Sequence, residues 1–253
     1  MKQTQADSGA VAIFGATSDI AICVARRYAE MGRRLVLVGR DDAGLAALAA
    51  DLGVRGAAET AVLRADFAHL EDLPALVGAA WDRFGGVGVA LVAYGVTPDQ
   101  HVVERDSSAA AAVLTVNFTS PAILLNELGR RFEEQRRGTI VAITSVAGDR
   151  GRKSNYVYGA AKGGLQRLLQ GLRHRLWSVG VAVVDIRPGF VATKMTAHLD
   201  RKGMLWASPD RVATDIVGAI ARHRAVCYTP GFWRLIMLIV CATPRALFHR
   251  SSL

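Results

Sequence analysis

The sequence predicts an α/β protein in which one parallel β-sheet is covered by helices on both faces. Short apolar runs rich in Val, Ile and Leu alternate along the chain with longer stretches of helical periodicity. These runs lack the alternation of polar and apolar residues that a half-exposed strand shows. Continuous apolar runs are typical of parallel strands that are buried on both sides. No Pro/Gly/Ser linker, charge block or low-complexity tract divides the 253 residues. We therefore expect a single domain of repeated β-α-β units with right-handed crossovers.

Alternating strands and helices account for most of the chain. The strands are predicted at Ala10–Phe14, Leu35–Val38, Thr60–Arg64, Val87–Ala93, Gly138–Thr144, Val181–Ile186 and Ala225–Thr229, seven in all. The helices are predicted at Asp19–Met31, Asp41–Leu52, Leu70–Phe84, Ser108–Phe132, Tyr158–Val179 and Ser208–Arg222. Residues 1–9 form a polar N-terminal extension, residues 10–229 the main body, and residues 230–253 an apolar and basic tail of the same domain.

Composition excludes several classes of protein. A chain that is 51% hydrophobic and 21% charged, with a mean hydropathy of +0.23, buries a full core and is neither disordered nor a coiled coil. Its three cysteines are too few and too scattered for a disulfide framework or a metal cluster, so we expect no metal site and a reducing, cytoplasmic location. The N-terminal residues lack the apolar run of an export signal, so export is not expected.

The charge of the chain points to anionic partners. The net charge is +9 and the pI is about 10.0. The arginines are dispersed, however, and no basic run is interleaved with aromatic residues, so we do not expect nucleic-acid binding. Phosphorylated ligands and an acidic membrane surface remain open as partners.

A glycine turn follows the first predicted strand. Gly15–Ala21 reads Gly-Ala-Thr-Ser-Asp-Ile-Ala and opens the first helix, which is where a dinucleotide-binding fold places its pyrophosphate. Gly15 permits a tight turn and a close approach of a ligand to the backbone. The alternative is a purely structural turn in which Thr17 or Ser18 caps the helix. The turn alone does not decide between these interpretations.

Tyr158 and Lys162 are four residues apart on a predicted helix, so the phenol and the ammonium lie on one face, one turn apart. Tyrosine has an ordinary pKa of about 10 and is a poor proton donor or acceptor at neutral pH, but a neighbouring lysine cation stabilises its phenolate and lowers that pKa. The pair is therefore suited to proton transfer. Taken alone, the spacing also fits a packed tyrosine beside a solvated lysine.

Two further polar residues strengthen the proton-transfer interpretation. Ser145 lies 13 positions before Tyr158 and ends the fifth apolar run, and the carboxyl ends of parallel strands are where such sheets bind ligands. Asn117 is a polar side chain among apolar neighbours in the preceding long helix. Its alternative explanation is a core amide satisfied by the backbone. Together with Lys162, these residues outweigh their separate structural explanations.

With these motifs the sequence resembles the short-chain dehydrogenase/reductase family, across roughly Val11 to Thr229. The family's glycine turn, Asn, Ser, Tyr-x-x-x-Lys pair and Pro-Gly pair occur in order at Gly15, Asn117, Ser145, Tyr158–Lys162 and Pro188–Gly189. The resemblance implies a Rossmann-type NAD(P)-binding fold with strand order 3-2-1-4-5-6-7, assembled as a homodimer or homotetramer. It also implies hydride transfer between nicotinamide and a carbonyl or secondary alcohol.

The resemblance assigns roles to the four polar residues. Tyr158 would exchange the proton with the carbonyl or hydroxyl oxygen, and Ser145 would orient that oxygen. Lys162 would hold the nicotinamide ribose and lower the pKa of the tyrosine, while Asn117 would support a proton-relaying water. Tyr156 competes with Tyr158, but only Tyr158 has both the lysine spacing and the family's distance from the serine.

Other positions match the family's cofactor contacts. Thr193 would hydrogen-bond the nicotinamide carboxamide, and Asp66 would lie near the adenine. Gly95 matches the last glycine of the family's Asn-Asn-Ala-Gly, although Val, Ala and Tyr precede it here. The expected cofactor-binding residues are Gly15, Thr17, Ser18, Ile20, Arg40, Asp66, Gly95, Tyr158, Lys162, Pro188, Gly189, Val191 and Thr193.

The end of the second strand indicates which cofactor is used. Gly39 stands where NAD-selective relatives carry an acid, and Arg40 follows it, so NADP(H) is favoured over NAD(H). Asp41 either caps the next helix or binds the ribose. Asp19 replaces the family's second glycine, and because its carboxylate would repel a pyrophosphate, we expect it to turn outward and complement the helix amino terminus.

The C-terminal stretch is unusually apolar. Residues 230–242 are nearly continuous in apolar side chains but too few to span a membrane, which requires about 20 residues. With Arg234, Arg245 and Arg250 nearby, the stretch suits an interfacial helix at the inner face of the cytoplasmic membrane. Contact with another subunit is the alternative.

Within the family, short segments resemble the reductases of decaprenylphosphoryl-2-keto-erythro-pentofuranose, a lipid-linked keto sugar. They are Ser154–Tyr158, Met195–Leu199 and the Pro-Gly-Phe-Trp start of the tail. The resemblance implies a substrate whose phosphate contacts the basic surface and whose polyprenyl chain contacts the tail. The alternatives are a soluble reductase of a free ketone or 3-oxoacyl substrate, and a non-catalytic nucleotide-binding protein at the membrane.

Overall fold

A computed structural model describes residues 9–197 and 203–250 and places a parallel sheet at the centre of the protein. The sheet contains β1 (Ala10–Phe14), β2 (Arg34–Gly39), β3 (Glu59–Arg64), β4 (Val87–Val92), β5 (Thr139–Ile143), β6 (Ala182–Pro188) and β9 (Val226–Thr229). Two short strands, β7 (Phe190–Val191) and β8 (Trp206–Ala207), pair separately with each other. The order in the seven-stranded sheet is β3-β2-β1-β4-β5-β6-β9, so the predicted fold class and strand order are confirmed.

Helices connect the strands, and the predicted helices are found with ends shifted by a few residues, except Ser108–Phe132, which is divided in two. They are α1 (Asp19–Glu30), α2 (Asp42–Val54), α3 (Leu73–Asp82), α4 (Gln100–Val103), α5 (Ser107–Leu114), α6 (Ser120–Gln135), α7 (Tyr156–Leu176), α8 (Pro209–Ala221), α9 (Trp233–Ala242) and α10 (Arg245–Phe248). Most of the expected N-terminal extension, the end of the Met195–Leu199 segment and the last three residues of the tail lie outside the described residues.

Both faces of the sheet are covered, which explains why its strands read as continuous apolar runs. On one face, Val11 and Ile13 pack with α1, α2 and α8. On the other, Ala12 and Phe14 pack with α3, α6 and α7. Alternate side chains of β1 therefore enter two different cores, and neither set faces water.

The predicted helix Ser108–Phe132 is wrong as a single regular helix. A π-helical turn at Thr115–Thr119 separates α5 from α6. Such turns widen the helix by one residue and are frequent at functional sites. Asn117 lies in this turn and is fully buried. The periodicity of the sequence does not reveal the extra residue, because apolar side chains continue on both sides of it.

The α5–α6 segment, Ser107–Gln135, is long and apolar enough to cross a membrane by length and composition. Leu124, Leu125 and Leu128 are buried in the core shared with the sheet. The segment connects β4 to its parallel neighbour β5, which is the placement of a core helix in this type of fold.

Candidate active site

The turn after β1 has the geometry of a ligand-binding loop. Gly15 has a positive φ of +87°, and a Cβ placed there would lie 2.8 Å from the backbone nitrogen of Tyr94, so both the conformation and the space require glycine. Ser18, not Thr17, caps α1 by accepting a hydrogen bond from the Ala21 N–H at 3.4 Å. The turn is therefore tight, and the helix that follows it is capped.

Asp19 lies in the first turn of α1, as predicted, and its side chain also contacts a distant segment. Its carboxylate Oδ2 accepts a hydrogen bond from the Lys194 N–H at 2.6 Å. This contact joins the start of α1 to the short 3₁₀ turn Lys194–Thr196, on the far side of the cleft. The contact joins segments that are 175 residues apart, so an argument based on the helix end alone does not reveal it.

Asn117 holds the loop that follows β4 in place by hydrogen bonds. Its amide nitrogen donates to the carbonyls of Val96 and Val113, each at 3.0 Å, and its Oδ1 accepts from the Val96 N–H at 3.1 Å. A Cβ on Gly95 would lie 2.6 Å from that Oδ1, so only glycine allows this approach. The interpretation of Asn117 as a core amide satisfied by the backbone is therefore correct in geometry, and the same contacts shape the cleft.

Tyr158 brings its hydroxyl close to the side chains of Ser145 and Thr97. Burial of the hydroxyl raises the pKa of Tyr158 to about 12, and the hydrogen-bonding capacity of these two side chains opposes the increase. Ser145 directly follows β5 and also accepts from the Ala147 N–H at 3.1 Å. Tyr156, the competing tyrosine, is 46% exposed at the start of α7.

Lys162 lies one turn after Tyr158 and is buried. Its Nζ donates to the Ile143 carbonyl at 3.2 Å and lies 5.8 Å from the centre of the Tyr158 ring. Burial lowers the pKa of Lys162 to about 8, while the negative charge of Asp185 raises it. The ammonium therefore persists at neutral pH next to the tyrosine.

Tyr94 forms part of the cleft wall, a role that the sequence analysis missed. Its ring stacks on Phe67 with centroids 3.9 Å apart, and its hydroxyl shares a hydrogen bond of 2.9 Å with Ser120 Oγ. Burial raises the pKa of Tyr94 well above its ordinary value, so the phenol stays protonated. Tyr94 stands where the family's Asn-Asn-Ala-Gly has alanine, and its ring extends the wall with an apolar surface.

Two adjoining cavities run along the carboxyl ends of the strands. One contains Tyr158, Lys162, Asn117 and Ser145, and the other contains Gly15, Arg40 and Asp66. They share the wall residues Thr17, Ser18, Ala93, Tyr94, Gly95, Val96 and Met195, so they form one elongated cleft. The remaining predicted residues, Ile20, Pro188, Gly189, Val191 and Thr193, line the catalytic end. The cleft passes both Gly15 and Gly95, at the carboxyl ends of the strands, where sheets of this type bind a dinucleotide.

The other end of the cleft is exposed and charged. Asp41 caps α2, since its Oδ1 accepts a hydrogen bond from the Gly44 N–H at 3.0 Å. Of the two roles predicted for Asp41, capping is therefore the one that the structure contains. Asp66 accepts from the Ala68 N–H at 3.0 Å. Arg40 is exposed beside both carboxylates and lines the same cavity.

The tail packs directly behind the catalytic end. A Cβ on Gly189 would lie 1.9 Å from Trp233 Nε1, so the indole of α9 lies against the backbone of the Pro188–Gly189 segment. Trp233 and Met237 also form a small core with Val146, the neighbour of Ser145. The inner face of α9 therefore supports two of the loops that line the cleft.

Comparison with known proteins agrees with this geometry. The family model for short chain dehydrogenases matches residues 9–203. The chain belongs to the short-chain dehydrogenase family. It is thus an oxidoreductase, and its family uses a nicotinamide dinucleotide in the cleft at this edge of the sheet.

Individual members of the short-chain dehydrogenase family match over most of the chain. An uncharacterized oxidoreductase of Mycobacterium tuberculosis, Rv2073c, is 34% identical over 246 residues, covering 96% of this chain and 98% of the relative. A 3-oxoacyl-[acyl-carrier-protein] reductase of Bos taurus is 29% identical over 191 residues, covering 76% and 79%. The structure of a short-chain dehydrogenase from Sphingobium yanoikuyae in complex with NADPH has a TM-score of 0.81 at 27% identity, covering 94% and 97%.

Proposed function

We propose that this short-chain dehydrogenase uses NADPH to reduce a ketone, with Tyr158 as the proton donor. The observation that carries the proposal is the Tyr158 hydroxyl, held by Ser145 and Thr97 and flanked by the buried Lys162 ammonium. This arrangement places a proton donor, a second hydroxyl and a cation at the end of the cleft. These are the groups that the reduction of a carbonyl requires.

The protonation state of Tyr158 suits the direction of reduction. Because burial raises its pKa to about 12, the phenol carries its proton at neutral pH. Bound NADPH would supply the hydride. Ser145 and Tyr158 would both donate hydrogen bonds to the substrate oxygen, and Tyr158 would transfer its proton as negative charge develops on that oxygen. The hydrogen bond with Thr97 then stabilises the phenolate.

Lys162 supplies the positive charge that the phenolate needs. Its Nζ is fixed by the Ile143 carbonyl and lies on the same helix face as Tyr158. The ammonium stabilises the phenolate by Coulomb attraction in a poorly solvated site and can also donate to the ribose of the cofactor. Both amide hydrogens of Asn117 donate to backbone carbonyls, so a relay water would have to be held by an oxygen of that residue.

The preference for NADPH over NADH rests on Arg40. Asp41, the nearest acid, is occupied in capping α2 and is therefore a poor ligand for ribose hydroxyls. Arg40 is exposed in the cleft, and a guanidinium binds a 2′-phosphate through charge-assisted hydrogen bonds. The related Sphingobium enzyme, whose structure contains NADPH, supports this choice.

The proposed substrate is a ketone carried on a lipid, of the polyprenyl-phosphate keto-sugar class. An aromatic cluster supports it: Phe190 stacks on Trp206 at 5.2 Å and meets Trp233 edge-on at 5.5 Å, and Phe232 adjoins Trp233 at 5.9 Å. Phe190 is next to Val191, which lines the cleft. Apolar surface thus leads from the catalytic end to the tail, along a route that suits a polyprenyl chain.

The outer face of α9 is proposed to contact an anionic membrane surface. Leu235, Leu238 and Ile239 are 63%, 66% and 61% exposed. No Asp or Glu follows Asp215 in the sequence, whereas arginines at 222, 224, 234, 245 and 250 do. An exposed apolar helix face in a segment that carries arginines and no acid matches anionic lipid headgroups above acyl chains. The enzyme would then work at the inner face of the cytoplasmic membrane.

A comparison of substrates tests the proposal. NADPH oxidation should be measured with a polyprenyl-phosphate keto sugar, with a short free ketone and with a 3-oxoacyl thioester. We expect the highest kcat/KM with the lipid-linked ketone, in the presence of vesicles. Preference for the thioester, the substrate class named for the bovine relative, would replace the lipid assignment while keeping the reductase. Binding of NADPH without turnover of any ketone would overturn the enzymatic proposal.

A further inference from the structure

A buried ionic cluster lies directly behind the catalytic lysine. Asp185 and Arg187 are on β6, and Asp149 is in the loop after β5. The side chains of both acids and of the arginine are buried, with 1%, 5% and 10% exposure for Asp185, Asp149 and Arg187. Buried charges are costly to desolvate, so a cluster retained inside the fold needs a reason beyond packing.

The hydrogen bonds of the cluster fix each carboxylate. Arg187 donates to Asp185 Oδ2 at 2.7 and 2.8 Å and to Asp149 Oδ1 at 2.9 Å. Tyr228 donates to Asp149 Oδ2 at 2.9 Å, and Thr144 donates to Asp185 Oδ1 at 2.6 Å. Every carboxylate oxygen of the cluster therefore accepts a hydrogen bond. Burial raises the pKa of Asp185, while the charge of Arg187 and the hydrogen bond from Thr144 lower it.

Asp185 and Asp149 differ in what they face. The alternation of β6 points Asp185 to the same side as Val183, into the core beneath α7, the helix that carries Lys162. Thr144, which holds Asp185, follows Ile143, whose carbonyl accepts from Lys162 Nζ. Asp149 instead lies towards Tyr228 on β9.

The hydrogen-bonded cluster carries a net negative charge. Two carboxylates and one guanidinium sum to one negative charge, and Asp185 also interacts electrostatically with two cations of α7, Lys162 and Arg173. The titratable and charged side chains around Asp185 are Arg187 on its own strand, Lys162 and Arg173 from α7, Asp149 from the loop after β5, and Tyr228 from β9. Tyr158 completes the set around Lys162. The negative charge of Asp185 raises the pKa of Lys162, against the larger lowering by burial.

We propose that Asp185 is a positioning residue that keeps Lys162 in its ammonium form, so that the cation is present beside Tyr158 throughout the neutral pH range. Hydrogen bonds from Thr144 and Arg187 orient the Asp185 carboxylate. The Lys162 ammonium that this carboxylate stabilises then stabilises the phenolate of Tyr158. The proposal rests on the proposed function for its consequence in catalysis. The charge state of Lys162 itself can be measured without substrate or cofactor.

The test is an NMR titration of the lysine side chains. The chain has only five lysines, at 2, 153, 162, 194 and 202, so the ε-methylene signals of ¹³C-lysine-labelled protein are resolvable, and Lys162→Arg identifies the signal. In the wild type, Lys162 should titrate near pH 8. In Asp185→Asn we expect a midpoint lower by about 1–2 pH units, the usual effect of losing a close opposite charge. Asp149→Asn removes the other partner of Arg187 and should shift the midpoint by less than about 0.3 units.

The outcomes separate the two proposals. An unchanged midpoint in Asp185→Asn, or equal shifts in both Asn variants, would overturn the role of Asp185, whatever the enzyme does. If the Asn variants fail to fold, Thr144→Val decides: a smaller shift in the same direction supports the role, and an unchanged midpoint contradicts it. In turnover assays, Asp185→Asn should move the alkaline loss of ketone reduction to lower pH. A normal NMR shift without any turnover would leave the role of Asp185 intact and contradict the reductase proposal.

Discussion

At the catalytic end of the cleft, the buried polar groups have hydrogen-bond partners. The side-chain amide of Asn117 both donates to and accepts from the backbone, and Lys162 Nζ donates to a backbone carbonyl. On the outer face of α9 the opposite holds, because Leu235 and Leu238 are largely exposed. The two regions are joined through Gly189, which lines the cleft on one side and receives the Trp233 indole on the other.

The difference shows which parts of the function are contained within the fold. The polar groups at the catalytic end are held by hydrogen bonds within the described chain. The leucines on the outer face of α9 are exposed among the residues that the structure describes, so the membrane proposal gives them a partner outside that part of the chain. Substitutions should therefore affect the two regions through different measurements.

The largest expected effect is at Tyr158. Tyr158→Phe removes the hydroxyl that donates the proton, so ketone reduction should fall by about 10²–10⁴-fold while NADPH affinity changes little. Stopped-flow measurement of NADPH oxidation and a fluorescence titration check both parts. Tyr156→Phe is the matched control and should keep normal activity, because its side chain is exposed at the start of α7. Loss of activity in Tyr156→Phe with full activity in Tyr158→Phe would show that the wrong tyrosine was chosen.

The outer face of α9 should give the next largest effect. Leu235→Asp with Leu238→Asp should reduce co-sedimentation with anionic vesicles by at least about 100-fold, since each buried leucine contributes about 1.5–3 kcal/mol. Turnover of a short ketone should remain normal, because neither side chain reaches the cleft. Val54→Asp, at an apolar side chain that is 91% exposed on α2, is the control and should sediment like the wild type.

The same experiment distinguishes a membrane from a second subunit. If the wild type does not sediment at low salt, and the Leu235/Leu238 variant changes a dimer or tetramer into a monomer in analytical ultracentrifugation, the outer face of α9 is a subunit contact. The lipid-linked substrate would then lose its main support.

A smaller effect is expected at the adenosine end of the cleft. Arg40→Ala should weaken NADPH binding by about 10–100-fold, the usual contribution of a charge-assisted hydrogen bond, and leave NADH binding nearly unchanged. Arg64→Ala is the matched control, since Arg64 adjoins Gly39 in the sheet but pairs with Asp42 at 3.4 Å. Equal affinities of the wild type for the two cofactors would contradict the NADPH assignment.

Gly189 connects the two regions, and its substitution should have the smallest effect. Gly189→Ala places a Cβ against Trp233 and should lower the free energy of unfolding by about 1–3 kcal/mol, seen as a fall in Tm of several degrees. Gly231→Ala has open space around the new Cβ and should leave Tm nearly unchanged. An unaltered Tm in Gly189→Ala would mean that α9 does not support the cleft.

Much of the fold was predictable because the signal is repeated in every β-α-β unit. Each central strand is buried on both sides, so its position is visible as an apolar run. The short strands β7 and β8 and the helix α4 were missed, because two to four residues carry no period. The π turn around Asn117 was missed because an inserted residue does not change the apolar character of its surroundings.

The candidate site was predictable to the extent that its residues follow strand ends or lie one helical turn apart. Tyr158 and Lys162 are examples. Thr97, Asp185 and Trp233 contribute through contacts between segments distant in sequence, and no spacing rule reveals them. A polar Thr97 shortly after the fourth strand was the one available signal for the first of these. The aspartates show the same limit: capping was one of the two roles predicted for Asp41, whereas the hydrogen bond of Asp19 with the Lys194 N–H was not predicted.

The pH dependence of ketone reduction tests the central claim most directly. If Tyr158 is the acid and Lys162 the cation that stabilises its phenolate, kcat should stay constant from about pH 6 to 7. It should then fall as pH rises through about 8, where the buried lysine loses its proton. The tyrosine itself, with a pKa of about 12, remains protonated across this range and cannot cause the fall. A rate that stays level or rises between pH 7 and 10 would contradict the proposed Tyr158–Lys162 chemistry.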